Sequence, residues 1–509
     1  MSSHRRLTLL WLLACTLLHL WMIAGGYWPL SADEAHYWEW SRRLDWSYYS
    51  KGPLVAYLIA LGTAVGGQTE FGVRLPAVLL GLGVAGIAYL LAARIFRSAR
   101  AGFLSVVLLS VMPLYAVGAV LMTIDPPFVF CWGLAWLCLW RAVQREGAMA
   151  WYAAGIAFGL GLLSKYTMLM LLPCVFLWLQ SSPRLRLWLR RREPYEATFL
   201  GLLIFSPVIV WNARHGWLSL RHVVIQAGGG GGHTLWASLK GGPEFLATQF
   251  GVVSPLLFLW FVCAVGWAWR EGLRQDREDL LLLVCASVPV FLFFQVWSVL
   301  TKVQANWAAH AYLTAAVATA GWYETRVAAA WTHRHVQRLN RLLLVSIMLP
   351  VLVLPLGFAP DLLELVGART PASLDLVSKR LRGWPELGRA VGAVLAAAPP
   401  NAFLMSDRYQ IASELAFYVP GQPRVYNPNL GRRMNQYDVW GGWDELQGRD
   451  GYFATYGAGD PPADLTAAFR TVERVRVVPI THRGRHLRDF SIFRGRDFQG
   501  FPPRPFAGF

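Results

Sequence analysis

The chain has 509 residues, of which 55% are hydrophobic and 15% are charged, and its mean hydropathy is +0.38. This composition excludes an ordinary soluble globular protein, in which about a quarter of the residues are charged. The formal net charge of +17 at pH 7 would suit a nucleic-acid partner, but the basic residues are clustered between apolar segments. We therefore predict a polytopic α-helical membrane protein with no nucleic-acid partner.

Apolar segments recur through the first 358 residues. Because a crossing needs roughly 17 to 25 mainly apolar residues, we predict about 11 transmembrane helices. We expect the first to be an uncleaved helix, since it lacks a small-residue cleavage site and more spans follow it. The predicted spans are 7–25, 75–96, 101–120, 126–143, 151–163, 168–180, 199–211, 252–269, 280–300, 310–323 and 342–358.

The arginine clusters that separate these spans fall on one side of the predicted membrane. They begin with Arg5 and Arg6 and end with residues 326–341. Such an arrangement follows the positive-inside rule and orients the chain. We predict a multi-pass protein of the inner (plasma) membrane, with the region beyond residue 360 extracytoplasmic.

The composition changes after Pro355, where leucine runs give way to charges of both signs. We predict a transmembrane domain over residues 1–358 and an extracytoplasmic α/β domain over 359–509. The first outer loop, 26–74, is expected to carry interfacial helices at 32–44 and 53–65. A second outer loop is predicted from 212 to about 249, with a mobile run of glycines at 228–232. In the terminal domain we predict strands at 402–406, 451–456, 474–478 and 490–493, and helices at 385–397 and 410–418.

Two acidic positions stand at outer helix ends. Asp33 and Glu34 lie in the aromatic segment 31–40, shortly after the first span, and Asp125 precedes Pro126 and Pro127 at the end of the third. A carboxylate at a membrane surface can act as a general base. For Asp125, the capping of the next helix remains an alternative.

Three lysines are predicted on the outer side, where the positive-inside rule disfavours them: Lys51, Lys165 and Lys302. Cations that converge at the outer leaflet could bind a phosphate or diphosphate. Snorkelling of each lysine toward lipid head groups is the alternative. Acids and cations together predict group transfer from a lipid-linked phosphate donor, with the lysines stabilising the departing phosphate.

Other chemistries lack their motifs. The sequence contains no Gly-x-Ser-x-Gly, no His-Glu-x-x-His and no phosphate-binding glycine loop. All six cysteines fall in predicted spans, so we expect neither a disulfide framework nor a cysteine metal site. His215, His222 and His233 match no metal pattern and are expected at the surface.

Six segments of the membrane portion resemble bacterial members of the GT-C superfamily, specifically glycosyltransferase family 39 and the aminoarabinose-transferase-like group. They are residues 32–41, 49–54, 72–76, 124–127, 159–165 and 305–307. The resemblance implies a GT-C bundle with a periplasmic active site that transfers a sugar, with inversion, from a polyprenyl-phosphate donor. The acceptors of the group include lipid A and other lipopolysaccharide sugars, cell-envelope glycans and proteins.

The resemblance also assigns roles. Asp33 matches the catalytic acid, Asp125 a second acidic position and Lys51 the donor-phosphate lysine. The aminoarabinose transferases have Glu-Lys-Pro-Pro where this chain has Ser-Lys-Gly-Pro at 50–53, and the missing glutamate removes a possible metal ligand, so we predict no metal and no cofactor. The full predicted site has Asp33, Asp125 and Glu34 as catalytic residues and Lys51, Lys165, Lys302, Tyr37, Asn306, Trp307 and Arg408 as substrate-binding residues.

Alternatives remain open. Arg408, with Tyr409, Gln410 and residues 435–438, could be ordinary hydrogen-bonded loop residues. A flippase or transporter of lipid-linked sugars would also combine acids and cations, but its charges would lie in span centres rather than at outer ends. A non-catalytic scaffold would leave the acids and the outward lysines unexplained.

Overall fold

The computed structural model describes residues 3–144, 147–226, 235–327, 332–358 and 380–506, and its first part is a helical bundle. Short 3-10 turns lie at Tyr166–Met170, Leu187–Arg190 and Ala305–Ala308. The helices of this part are α1 (Ser3–Ala24), α2 (Ala32–Ser41), α3 (Leu54–Gly66), α4 (Glu70–Ile95), α5 (Ala99–Val111), α6 (Pro113–Gly118), α7 (Asp125–Val143), α8 (Ala148–Ser164), α9 (Leu171–Gln180), α10 (Pro183–Arg186), α11 (Glu193–Arg214), α12 (Leu218–Val224), α13 (Leu235–Val253), α14 (Pro255–Arg274), α15 (Glu278–Cys285), α16 (Val288–Leu300), α17 (Ala311–Trp322) and α18 (His333–Phe358).

Within the described ranges, 7 helical segments are long and apolar enough to cross a membrane, and shorter apolar helices accompany them. The prediction of a multi-pass helical membrane protein is confirmed, whereas the count of about 11 spans stays a prediction. Two predicted spans are divided in the structure. The span 101–120 breaks before Pro113 and the span 280–300 before Pro289, because proline lacks the N–H that would continue the helix.

The prediction of a second outer loop from 212 to about 249 was wrong for its later part, because residues 235–249 are helical. Helix α13 begins at Leu235 and packs against α16, with Phe245 2% exposed. A Cβ at Gly241 would lie 2.0 Å from the carbonyl oxygen of Ser298, so the glycine permits close helix contact. The glycine-rich sequence around this position suggested a loop. The run 228–232 lies outside the described residues.

The first outer loop forms two helices, α2 and α3, close to the predicted positions. Helix α2 begins with a capping box, in which the Ser31 hydroxyl accepts from the backbone of Glu34 and the Glu34 carboxylate accepts from the backbone of Ser31. The helix is buried along most of its length. It lies between the bundle and the carboxyl-terminal domain rather than on a free membrane surface.

The carboxyl-terminal region is an α/β structure, as predicted. Its sheet has the order β2-β1-β3-β5-β4, with β1 parallel to β2 and β3, and β5 antiparallel to β3 and β4. The predicted short strands at 474–478 and 490–493 are parts of longer strands. The elements are α19 (Trp384–Ala396), β1 (Phe403–Ser406), α20 (Tyr409–Tyr418), β2 (Val425–Tyr426), α21 (Gln436–Trp440), β3 (Gly451–Tyr456), α22 (Ala463–Ala467), β4 (Phe469–His482) and β5 (Arg485–Phe498).

The first outer loop and the carboxyl-terminal domain share one hydrophobic core. Trp38 and Trp40 of α2 belong to the same buried cluster as Ile411 and Leu415 of α20. Burying large aromatic side chains strongly favours this association. The predicted division at residue 358 adjoins the undescribed range 359–379 and stays a prediction.

Candidate active site

A cleft of about 1360 Å³ lies where the predicted first outer loop, the adjoining helix ends and the carboxyl-terminal domain meet. Most of the predicted site residues line it, although they are distant in sequence. Glu34 and Lys302 do not. The predicted residues that line the cleft are Asp33, Tyr37, Lys51, Asp125, Lys165, Asn306, Trp307 and Arg408.

Asp33 projects from the first turn of α2 beside a tyrosine of the carboxyl-terminal domain. The Tyr409 hydroxyl donates a hydrogen bond to Asp33 Oδ1 at 3.4 Å. Burial raises the pKa of Asp33 above its ordinary value, and the Tyr409 hydrogen bond and the Lys51 charge oppose that rise. The carboxylate thus combines access to the cleft with an increased affinity for a proton.

Lys51 follows α2 in a segment that lies against α8. A Cβ at Gly52 would be 2.2 Å from the Leu163 carbonyl oxygen, so glycine is required for this approach. Burial and the neighbouring Lys165 lower the pKa of Lys51 to about 8, while Asp125 and Asp33 oppose the shift. Within the described ranges, no carboxylate lies within ion-pair distance of its ammonium. Lys51 therefore presents an uncompensated cation to the cleft.

Asp125, Lys165 and Asn306 form a hydrogen-bonded cluster from three separate elements. Lys165 Nζ donates to Asp125 Oδ1 at 2.9 Å, and Asn306 Nδ2 donates to Oδ2 at 2.5 Å. The N-cap of α7 is Ile124, and no side chain caps this helix. Asp125 is thus not the cap that the sequence left open, and Lys165 binds a carboxylate instead of snorkelling.

Glu34 is fully buried outside the cleft. Arg74 donates to its two oxygens from Nε and Nη2, both at 2.8 Å, and the backbone N–H groups of Ser31 and Met122 donate at 2.9 and 3.0 Å. These bonds saturate the carboxylate. Glu34 therefore does not contact the cleft in this structure, and its predicted catalytic role stays a prediction.

Lys302 also departs from the prediction. It is exposed and is not among the residues that line the cleft. Its place is the extended segment between α16 and the 3-10 turn at Ala305–Ala308. This position agrees with the snorkelling alternative rather than with a substrate contact.

The carboxyl-terminal domain supplies one wall of the cleft. Arg408 is the N-cap residue of α20, and its Nε lies 3.7 Å from Asp407 Oδ2. A buried chain of contacts anchors the wall to α2: Ser413 Oγ is 3.0 Å from His36 Nδ1 and 2.9 Å from the Tyr437 hydroxyl, which in turn donates to Glu39. Burial lowers the pKa of His36 to about 3, so this histidine is neutral.

Sequence reasoning missed His36, Tyr49, His222 and Arg433 as residues of the cleft. His222 was expected at the surface but is 4% exposed, and His233 lies outside the described residues. For Arg433 a signal existed. It lies in the region predicted to be extracytoplasmic. The lysines of the membrane part were selected because the positive-inside rule disfavours cations on that side, and the same reason could have selected this arginine.

An apolar side of the cleft faces the bundle. Its lining includes Leu169, Met170, Phe293 and Trp297. Leu169 and Phe293 are 49% and 39% exposed. A polar floor beside an open apolar wall can hold a ligand that has a charged head and a hydrocarbon chain.

In the part of the chain that the structure describes, no group of three or more His, Cys, Asp or Glu side chains is arranged to hold a metal ion. None of the six cysteines, all of which lie in the described ranges, forms a disulfide. The metal and cofactor requirements stay predictions.

The fold matches solved structures along most of the chain. ArnT from Cupriavidus metallidurans in the apo state superposes with a TM-score of 0.61 and 15% identity, covering 96% of this chain and 98% of that chain. An oligosaccharyltransferase from Archaeoglobus fulgidus superposes with a TM-score of 0.53 and 11% identity, covering 90% and 70%. The chain has the GT-C fold. The predicted GT-C resemblance and the predicted helical membrane fold with a carboxyl-terminal α/β domain are confirmed, whereas the helix count and the extracytoplasmic side of that domain stay predictions.

The sequence comparisons match parts of the chain. Residues 50–211 match the family described as dolichyl-phosphate-mannose-protein mannosyltransferase. The lipid A galacturonosyltransferase RgtD of Rhizobium johnstonii is 30% identical over 286 residues, which are 56% of this chain and 59% of that protein. An undecaprenyl phosphate-α-4-amino-4-deoxy-L-arabinose arabinosyl transferase of Pseudomonas savastanoi is 35% identical over 167 residues, 32% of this chain and 29% of the relative. The matched part thus spans less than two thirds of each of these relatives.

Proposed function

We propose that this GT-C chain is an inverting glycosyltransferase that uses a polyprenyl-phosphate sugar at the outer face of the inner membrane. The observation that carries the proposal is the cleft itself. It combines the carboxylate of Asp33, the cation of Lys51, which has no acid partner among the described residues, and an apolar wall beside the bundle. A lipid-linked phosphate sugar has matching parts: a hydrocarbon chain, a phosphate and a reactive anomeric carbon.

Asp33 is the better candidate for the general base. Both oxygens of Asp125 already accept hydrogen bonds from Lys165 and Asn306. Asp33 accepts one long hydrogen bond from Tyr409, and burial raises the pKa of its carboxyl. A base works best when its pKa approaches the working pH, so the environment of Asp33 suits proton abstraction and that of Asp125 suits fixed electrostatic positioning.

The proposed reaction is a single displacement. Asp33 removes the proton of an acceptor hydroxyl, and the hydroxyl oxygen forms a bond to the anomeric carbon. The bond from that carbon to the phosphate oxygen breaks, and the electron pair leaves with polyprenyl phosphate. Lys51 stabilises the negative charge that grows on the departing phosphate. Inversion at the anomeric carbon follows from attack opposite to the leaving group.

Other predicted residues fit supporting roles in this reaction. Tyr37, Trp307 and Arg408 line the cleft and could contact the sugar or the acceptor. Lys165 and Asn306 would hold Asp125 in place. Glu34 would act as a positioning residue, because its ion pair with Arg74 anchors the first turn of α2, where Asp33 lies.

We infer an extracytoplasmic acceptor that carries a hydroxyl group, and lipid A is the first candidate because the names of the sequence relatives include a lipid A transferase. Cell-envelope glycans and proteins remain acceptors to be tested. We propose that the carboxyl-terminal domain faces the periplasm, since it forms one wall of the cleft and the positive-inside rule predicts that the other residues of this cleft lie on the outer side.

The test is mass spectrometry of envelope lipids and glycans from cells with the chain, without it, and with Asp33→Asn. We expect one sugar to be lost from the same product in the deletion strain and the variant strain. An unchanged envelope together with accumulation of polyprenyl-phosphate sugar on the cytoplasmic side would instead support a flippase. Loss in the deletion strain alone would contradict Asp33 as the base.

A further inference from the structure

His36 lines the cleft, and the proposed reaction assigns no part to it. It stands three positions after Asp33 in α2, so the two side chains lie on the same face of the helix. The imidazole ring is buried among three aromatic rings, with its centroid 4.9 Å from that of Tyr409, 5.2 Å from that of Trp40 and 5.5 Å from that of Tyr437. These neighbours hold the ring in one orientation beside the proposed base.

A buried chain of hydrogen bonds determines which ring nitrogen of His36 carries the proton. The chain ends at Glu39, whose carboxylate can only accept, so the Tyr437 hydroxyl donates to it. Because a hydroxyl has one proton, Tyr437 then accepts from Ser413 Oγ at 2.9 Å, and Ser413 accepts from His36 Nδ1 at 3.0 Å. The neutral ring has only one N–H. This proton is therefore on Nδ1, and Nε2 keeps its lone pair.

The second ring nitrogen of His36, Nε2, is available to the cleft. Nδ1 points to Ser413, and Nε2 lies on the other side of the ring. No group of the described residues forms a hydrogen bond with Nε2. It is nevertheless not among the buried polar atoms that lack a partner, whereas both ring nitrogens of the enclosed His310 are. An acceptor without a protein partner that is not sealed off can bind a ligand.

The charge of Glu39 decides the direction of this chain. Burial raises the pKa of Glu39 to about 7, and the hydrogen bond from Tyr437 opposes that rise. Three cations also oppose it, Arg43, Arg42 and Arg424. Above about pH 7 the carboxylate only accepts, and the donors follow the order given above. Below that pH the protonated carboxyl can donate to Tyr437, which allows every bond of the chain to reverse and places the ring proton on Nε2.

We propose that His36 binds substrate in the cleft, with its Nε2 accepting a hydrogen bond from a hydroxyl group. Glu39 is the positioning residue that keeps Nε2 an acceptor, because it orients the hydroxyls of Tyr437 and Ser413 between them. This inference rests on the proposed function and adds the class of group bound at this point: a neutral hydrogen-bond donor, which a lone pair accepts. The hydroxyl belongs either to the transferred sugar or to the acceptor, and the experiment distinguishes the two.

Binding measurements on the purified full-length protein test the contact of Nε2. The ligands are polyprenyl phosphate without sugar, polyprenyl-phosphate hexose and lipid A. The variants are His36→Phe, which removes both ring nitrogens, and His36→Gln, whose amide oxygen can accept a hydrogen bond at a similar reach. The control is His486→Phe, at an exposed position of β5 outside the cleft. The thermal midpoint of each variant reports its folding.

We expect every variant to bind polyprenyl phosphate within about twofold of the wild-type protein, since this ligand carries neither sugar nor acceptor. His36→Phe should weaken one of the other two ligands about five- to tenfold, and His36→Gln should recover part of that loss. A loss with the hexose assigns the contact to the transferred sugar, and a loss with lipid A assigns it to the acceptor. His486→Phe should behave as wild type.

Nitrogen NMR of the protein with isotope-labelled histidine tests the role of Glu39, because the chemical shifts of the ring nitrogens show which one carries the proton. The difference from the His36→Phe spectrum identifies the signals of His36 among the 11 histidines. At pH 8, above the pKa of Glu39, we expect the proton on Nδ1, and at pH 6 a shift toward Nε2. Glu39→Gln should abolish this pH dependence, whereas a purely structural role would change only the thermal midpoint.

Several results would overturn this inference. Unchanged affinity of His36→Phe for both the hexose and lipid A would remove the contact, and equal weakening of bare polyprenyl phosphate would place the ring on the donor phosphate instead. A ring proton on Nε2 at pH 8 would leave no acceptor for a hydroxyl. A wild-type tautomer that does not respond to pH would remove the role of Glu39. Failure of the proposed function is distinguishable from all of these, because the wild-type protein would then not bind polyprenyl phosphate at all.

Discussion

The Tyr409 hydroxyl of the carboxyl-terminal domain donates a hydrogen bond to Asp33 in the first outer loop, over 3.4 Å. The two residues are 376 positions apart in the sequence. Among the described residues, Tyr409 is the one side chain that donates a hydrogen bond to Asp33, and it belongs to the carboxyl-terminal domain. This domain therefore forms part of the candidate site.

Asp33→Asn is expected to lower kcat by about 100-fold or more while the protein stays folded, since the amide keeps the shape but cannot take a proton. The measurement is sugar transfer by purified protein in lipid vesicles, with the thermal midpoint as the folding control. Asp444→Asn, at an exposed position outside the cleft, is the matched control. Wild-type turnover of Asp33→Asn would refute the assignment of the base.

Tyr409→Phe should shift the acid limb of the kcat/KM profile to higher pH. The hydrogen bond from Tyr409 lowers the pKa of Asp33. Without it the carboxyl holds its proton to a higher pH, and a base is active only after it has lost that proton. A purely structural role would reduce the thermal midpoint and leave the limb in place. Tyr452→Phe, in β3 and outside the cleft, serves as the control.

Lys51→Gln should lower kcat/KM for the donor by about 100-fold, because the leaving phosphate loses a cation. The pKa of Lys51 is lowered to about 8. The ammonium is charged below that pH, so the wild-type rate should fall as the pH rises through about 8, and Lys51→Arg should move this fall to higher pH. Lys302→Gln is the control, since Lys302 is exposed and outside the cleft. An equal loss with Lys302→Gln would restore its predicted role.

Arg74→Met should destabilise the protein by about 3–5 kcal/mol, because it leaves the carboxylate of Glu34 buried without its ion partner. The double variant Arg74→Met with Glu34→Gln should recover part of the loss. Thermal unfolding in detergent measures both effects. A Glu34→Gln variant with normal stability and no transfer activity would instead support the predicted catalytic role of Glu34.

The amino-acid sequence by itself determined the class of the protein and much of its local structure. Apolar runs of spanning length predict transmembrane helices because the bilayer leaves no alternative partner for backbone polar groups. The aromatic segment predicted a helix at 32–44, of which α2 covers Ala32–Ser41, and alternation at 451–456 predicted β3. The GT-C resemblance rested on short motifs around Asp33, Lys51, Asp125, Lys165 and Asn306, all of which the fold brings to one cleft.

Only the tertiary structure decided what each polar side chain contacts. Asp33 and Glu34 are adjacent in the sequence, yet one faces the cleft and the other is saturated by Arg74 from α4. Likewise, Arg432 meets Asp438, while its neighbour Arg433 meets His222. Successive side chains on a helix or loop point in different directions, and their partners come from distant parts of the chain. A sequence pattern alone therefore does not show which partner each side chain contacts.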